Sequence, residues 1–223
     1  MQLIHGDCLE EMKKIPDGSV DLTVTSPPYD NLRTYNNTLD WGEHVWKPVL
    51  RELFRVTKQG GVVVWIVNDA TIKGSETGTS FRQALYAKEI GFNLHDTMIW
   101  NKGNFTAVGA LKTSYCPVFE YMFIFTKNRI ATFTPIKDRR NKCFGELFHN
   151  TVRQKNGEIK DGCGKGVKKV QEFGQRHNIW EIHPEKDNNK RLHPAIFPLL
   201  FYLRFCFCSF TIIPLSPLLC RIS

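Results

Sequence analysis

Apolar and polar positions along the first part of the chain follow two rhythms. Leu9, Met12 and Ile15 recur at threes, with Glu10, Glu11, Lys13 and Lys14 between them, which predicts a short amphipathic helix. A strand-like "QLIH" and a Gly6-Asp7 turn precede it; a Pro16-Asp17-Gly18 turn and the apolar run "VDLTV" follow. Val45, Val49, Leu50, Leu53 and Val56 share one face of a longer helix, whose end is expected at Gly60-Gly61. "VVVWIVND" is an unbroken apolar run of strand length, the pattern of a parallel strand buried on both faces. "SFRQALYAKEIGF" returns to the helical period, and "DTMIWNK" and "EYMFIFTK" read as further strands. Strands and helices in alternation predict an α/β sheet protein.

The texture changes over residues 128–178. This stretch is rich in Lys, Arg, Asn and Gly, with isolated Phe133, Phe144, Phe148 and Phe173 and little periodicity, so an insertion or separate module is expected. "NIWEI" and "RLHPAIFP" restore an ordered pattern. After Pro198 the composition breaks: residues 199–223 contain no Gly, Asp, Glu, Asn, Gln or Lys, yet three of the seven cysteines. Four segments follow: 1–127, an α/β domain; 128–178, a basic region; 179–198, the start of a further element; and 199–223, an anomalous apolar tail.

Composition narrows the function classes. Hydrophobic residues at 42% and charged residues at 23% are globular values, and the formal net charge of +8 suits a polyanionic partner as well as simple solubility. The seven cysteines form no C-x-x-C pair, and Met1 leads straight into a strand, so a reducing cytoplasm with free thiols is expected. Cys163 and His177 lack paired ligand spacing, and no metal is expected. The tail is interrupted by Arg204, Pro214 and Pro217, which argues against a membrane span.

The candidate chemistry sits in "TSPPY", at the carboxyl end of the strand "VDLTV", where open α/β sheets bind ligands. Consecutive prolines make a stiff bend without amide donors, so its carbonyls stay available. Ser26 and the Pro27 carbonyl can accept the two hydrogens of an exocyclic amino group, which makes its nitrogen more nucleophilic, and Tyr29 can stack on the base. A base in a duplex reaches such a pocket only when flipped out. The plainer reading is a proline-rich exit from a strand.

Residues 2–36, with "GDCLEEMKKIPDGSVDLTVTSPPY" at their centre, closely resemble the DNA amino-methyltransferases, and the order of parts resembles the β class of that family. The resemblance extends through "GGVVVWIVND" to "HPAIFP" at Pro198. It implies a Rossmann-like S-adenosylmethionine-dependent methyltransferase sheet in permuted order, incomplete at the C-terminus. It also implies methylation of cytosine N4 or adenine N6 in double-stranded DNA; the Ser-Pro-Pro-Tyr form leans towards cytosine, with exceptions on both sides. Ser26, Pro27, Pro28 and Tyr29 match the catalytic corner. Asp7 matches the acidic residue at the cofactor's adenine amino group, with the Cys8 amide beside it; capping of the following helix is an equal alternative for Asp7. His193, Pro194 and Phe197 match the element over the cofactor's methionine end. Residues 128–178 match the target-recognition region, with Arg139, Arg140, Lys142, Lys168 and Lys169 expected on phosphates. A cognate restriction endonuclease is an expected partner.

One family element is missing. An apolar strand ending in Asp-Pro-Phe and a Gly-x-Gly loop should follow "HPAxFP"; "DGCGKG" at 161–166 follows a polar stretch and reads as a flexible basic loop. A frame disruption after Pro198 accounts for the tail better than a membrane anchor does. The expectation is therefore a methyltransferase whose activity in this chain is impaired, with a non-catalytic DNA-binding remnant as the alternative.

Overall fold

A computed structural model of the protein describes residues 4, 6–30, 41–103, 114–148, 151–161, 168–184, 198 and 205. In chain order the elements are α1 (Cys8–Met12), β1 (Val20–Thr25), α2 (Glu43–Val56), β2 (Thr57–Val67), the small hairpin β3 (Thr71–Ile72) and β4 (Ser75–Glu76), α3 (Thr79–Glu89), β5 (Asn93–Asn101) and β6 (Phe119–Thr126). Six short strands follow: β7 (Arg139–Arg140), β8 (Leu147–Phe148), β9 (Thr151–Arg153), β10 (Ile159–Asp161), β11 (Lys168–Lys169) and β12 (Phe173–Gly174). The last is β13 (Ile179–Glu181). The chain divides into two units, 1–133 with 178–223, and Thr134–His177. The second unit falls inside the basic stretch set apart above.

In the first unit the sheet runs β1-β2-β6-β5-β13. β1 is parallel to β2 and β13 to β5, whereas β6 is antiparallel to both β2 and β5. The sheet is thus mixed, and "VVVWIV" is a parallel strand on one side only. Its burial is as expected: Val62 to Val67 are all 4% exposed or less. A buried polar group costs its full desolvation penalty unless it finds a partner, and one such pair is made here. The Trp65 indole donates to Gln83 Oε1 at 2.8 Å, both side chains buried, which ties the central strand to α3. Along β6, Phe119, Tyr121, Phe123 and Phe125 lie two apart on one face and pack edge-on or stacked from one to the next.

β1 ends the described sheet, with β2 as its neighbour, yet Val20, Leu22, Thr23 and Val24 are all 3% exposed or less. Its position is fixed from the preceding turn by Arg55. That guanidinium donates to the Met12 carbonyl at 2.7 Å and the Ile15 carbonyl at 2.9 Å, and pairs with Glu52 and Asp17. The two carboxylates, Glu52 foremost, raise the Arg55 pKa further above its already high ordinary value. The latch ties α2 to the C-terminal end of α1 and to the turn that leads into β1.

One expectation is corrected. α2 does not run to the glycines: Thr57 caps it, its hydroxyl donating to the Leu53 carbonyl at 2.5 Å, and β2 begins at that same residue. Gly60 and Gly61 instead form a bulge within β2, where the register with β1 jumps between Val20↔Thr57 and Leu22↔Val62. Gly60 has φ +79°, and a Cβ there would stand 2.6 Å from the Ala131 Cβ. Gly61 is extended, but its Cβ would meet the Lys58 and Asp21 carbonyls. The glycines are there for close backbone approach, which looks the same in sequence as a helix stop.

The strand "QLIH" lies outside the described residues except for Ile4, as do residues 162–167 and the tail apart from Phe205. Phe205 is buried, and its ring stacks on Trp180 of β13 at a centroid distance of 4.8 Å. Among the described residues no helix is long and apolar enough to cross a membrane.

Gly60→Ala should lower unfolding stability by about 1–3 kcal/mol through left-handed strain plus the Ala131 clash. Gly18→Ala, with φ +60° but open space around its Cβ, should cost visibly less. Urea midpoints of the two variants check this; equal losses would mean that the bulge carries no packing constraint.

Candidate active site

Strand polarity gathers the site at one end of the sheet. Because β1, β2 and β5 end where β6 begins, Ser26, Asn68 and Lys102 leave the sheet at the end where Glu120 enters it on β6. Ser26 to Tyr29 follow directly on β1, and Asp30 turns the chain away with φ +44°.

The corner is wired by side-chain hydrogen bonds. Ser26 Oγ and Tyr29 Oη lie 2.8 Å apart, and the Tyr29 hydroxyl donates to Glu120 Oε2 at 2.5 Å. Glu120 is 4% exposed, and its other oxygen forms an ion pair with Lys102. The Lys102 ammonium also lies 5.2 Å from the centre of the Trp100 ring. The tyrosine ring is part-buried against the core, so its tilt is set both at its hydroxyl and along its edge. Sequence reasoning missed Glu120 and Lys102. The available signal was a lone carboxylate inside the otherwise apolar "FEYMFIF", two residues after which the face repeats with Met122 and Ile124.

Behind the corner Asp30 and Asp69 hold the loop before α3. Asp69 accepts from the Ser80 amide at 2.9 Å and the Ser80 hydroxyl at 2.5 Å, acting as a remote cap for a helix whose own N-cap, Gly78, has no side chain. Asp30 Oδ2 accepts from the Ala70 amide at 3.3 Å. Thr77 Oγ1 lies 2.6 Å from Asp30 and 3.1 Å from Asp69, one hydroxyl hydrogen between two carboxylates. Burial raises the nearby Tyr121 hydroxyl above its ordinary pKa, and the charges of Glu76 and Asp69 add to that.

Asp7 is the N-cap of α1. Its Oδ1 accepts from the Leu9 amide at 2.9 Å and the Glu10 amide at 3.2 Å, while Oδ2 takes neither bond. The capping alternative is therefore realised, and it leaves one carboxylate oxygen over for an adenine amino group. Cys8 opens the helix and packs, half-buried, against the core. His193, Pro194 and Phe197 lie outside the described residues.

The five basic residues expected on phosphates come together in the second unit. β7 pairs with β12, β8 with β11 and β9 with β10, all antiparallel. A cleft of about 1030 Å³ is lined by Lys137, Arg139, Arg140, Lys142, Lys168, Lys169 and His177, with Phe148 and Phe173 among them and, among the described residues, no carboxylate in its lining, although Glu172 pairs with Arg140 at 4.0 Å. Gly174 faces Arg139 across the ribbon, and a Cβ there would meet the guanidinium at 2.5 Å. Glu146, by its charge and a hydrogen bond, holds the Cys143 thiol at the cleft above its ordinary pKa, which disfavours the thiolate a nucleophile would need. Among the described residues no three His, Cys, Asp or Glu side chains group as metal ligands.

Comparison with known proteins gives this arrangement a family. The profile described as DNA methylase matches residues 20–208, most of the chain and past Pro198. The orphan methyltransferase M.BamHII of Bacillus amyloliquefaciens is 46% identical over 196 residues, covering 83% of this chain and 70% of that protein. The type II methyltransferase M.ScaI of Streptomyces caespitosus is 26% identical over 88% of this chain, which spans 62% of the relative's length. Among solved structures, the cytosine-N4-specific PvuII DNA methyltransferase superposes on 90% of this chain and 67% of its own with a TM-score of 0.59; at 17% identity the shared property is the fold. S-adenosylmethionine is the cofactor of this family. The chain belongs to the family of S-adenosylmethionine-dependent DNA amino-methyltransferases.

Proposed function

We propose that the protein methylates the exocyclic amino group of a flipped base at a specific site in double-stranded DNA, N4 of cytosine before N6 of adenine. The observation that carries this reading is the Ser26–Tyr29 pair, held at the carboxyl end of β1 inside the segment that matches the family. When bound, S-adenosylmethionine supplies an electrophilic methyl group. Asp7 Oδ2 would receive the cofactor's adenine amino group, with the Cys8 amide at the same ring, while His193, Pro194 and Phe197 would close over the methionine end. Ser26 Oγ and the Pro27 carbonyl accept the hydrogens of the target amine, Pro28 keeps the bend stiff, and Tyr29 stacks on the base. The amine nitrogen is itself the nucleophile, so no cysteine is required.

DNA is held separately. Arg139, Arg140, Lys142, Lys168 and Lys169 line one cleft, and its exposed Phe148 and Phe173 offer apolar contact between the cations. Such a surface binds phosphates whatever the sequence. A restriction endonuclease reading the same site is the expected partner.

A second reading rests on the basic cleft alone, which can hold phosphates whether or not a methyl group is transferred. On this reading the chain binds DNA through that cleft without methylating it.

Transfer of tritiated methyl from S-adenosylmethionine to unmethylated plasmid DNA separates the two. Incorporation supports the first reading, and DNA binding without incorporation the second. Where transfer occurs, Tyr29→Ala should cut kcat about a hundredfold through lost orientation while leaving DNA affinity nearly unchanged. Equal losses in both would make Tyr29 merely structural. The paired change Lys168→Ala and Lys169→Ala should weaken DNA binding and flatten its log–log salt dependence by about 1.8, two phosphate contacts' worth. An unchanged slope would remove these lysines from the interface.

A further inference from the structure

Glu120 is an unusual side chain to find where it is. On its face of β6 the next two positions, Met122 and Ile124, are apolar and buried, and the Glu120 side chain itself is 6% exposed beside a Lys102 side chain at 15%. Desolvating such a pair costs roughly what their attraction returns, so stability alone is a poor reason to keep it. Its geometry supplies another. As half of an ion pair, the Glu120 carboxylate has no hydrogen and only accepts. The Tyr29 hydroxyl has one hydrogen, and it is directed at Glu120 Oε2 at 2.5 Å. The hydrogen in the 2.8 Å contact between Ser26 Oγ and Tyr29 Oη must then come from Ser26.

The direction matters for chemistry at the corner. With its hydrogen committed to Tyr29, Ser26 Oγ presents only lone pairs outward, and an amine brings N–H groups to them. With the chain reversed, Ser26 would offer its hydrogen to the amine's lone pair, the pair that has to attack. We propose that Glu120, ion-paired with Lys102, is a positioning residue that sets the direction of the Glu120–Tyr29–Ser26 hydrogen-bond chain and so makes Ser26 an obligate acceptor for the target amine. This rests on the amino-methylation reading above, since the hydrogen-bond direction has a catalytic consequence only there. Glutamine at 120 removes the directionality: its amide accepts at one atom and donates at the other, so either orientation of the chain is satisfied.

The test uses the full chain with tyrosine isotope-labelled at Cζ, the Tyr29 signal being identified by its loss in Tyr29→Phe. In an equal mixture of light and heavy water, the wild-type Tyr29 signal should split, as it does when the hydroxyl hydrogen is held against exchange. Glu120→Gln strands Lys102 and risks misfolding, so Glu120→Gln with Lys102→Gln, neutral at both positions, is the second variant. In that double variant the splitting should collapse, and kcat for methyl transfer to DNA should fall about ten- to hundredfold, with KM for DNA near the wild-type value. A folded double variant with wild-type kcat, or an unsplit Tyr29 signal in the wild type, overturns the proposal. If the wild type transfers no methyl group, the functional reading fails on its own, while loss of the splitting in the double variant still assigns the Tyr29 hydrogen to Glu120 and its persistence overturns the proposal. If neither variant folds, an unsplit wild-type signal still overturns the proposal.

Discussion

Everything at the site depends on the polarity of β2 and its neighbours. β2 runs parallel to β1 and antiparallel to β6, and β6 in turn is antiparallel to β5. That pattern alone brings the end of β1, carrying the Ser-Pro-Pro-Tyr corner, to the start of β6 and the end of β5. A buried glutamate at the first of these strand ends and a lysine just past the second then meet the corner tyrosine without any long loop. The register that permits this is set at the opposite end of β2, where the Gly60-Gly61 bulge absorbs the mismatch between the two parallel strands.

On the direction proposed above, the hydrogen bonds at the corner run from Ser26 through Tyr29 to Glu120, which Lys102 holds from its other side, anchored inside the sheet and open at one end. Fixed dipoles of this kind need no rearrangement when substrate arrives, which is how a site with so few groups can act on a weakly nucleophilic amine. On the proposed reading the duplex is bound by the second unit, where short antiparallel ribbons display Arg139, Arg140, Lys168 and Lys169. Chemistry and affinity would then be carried by different parts of the chain.

Much of this was legible in the sequence. The three-residue recurrence of Leu9, Met12 and Ile15, the apolar run at Val62–Val67 and the double proline are local signals, and they located α1, β2 and the corner. The change of texture after residue 127 flagged the basic stretch in which the second unit lies. What could not be read is non-local. Gly60-Gly61 means a helix stop or a bulge depending on Ala131, seventy positions away in neither pattern. Asp7 is equally good as a cap and as an acceptor until its two oxygens are told apart. Glu120 and Lys102 become a pair only through the β5–β6 register, in which Trp100 faces Glu120. The tail broke the composition at Pro198, yet Phe205 packs on Trp180 and the family match continues to residue 208.

The account's central claim is that this corner addresses an amino group. The most direct measurement is mass spectrometry of nucleosides from unmethylated DNA incubated with the protein and S-adenosylmethionine carrying a heavy methyl group. The account predicts the heavy label on N4-methylcytidine or N6-methyladenosine in their deoxy forms. Label on the ring carbon of cytosine instead would contradict it, because such a corner supplies hydrogen-bond acceptors for an amine and not the nucleophile that ring-carbon methylation requires.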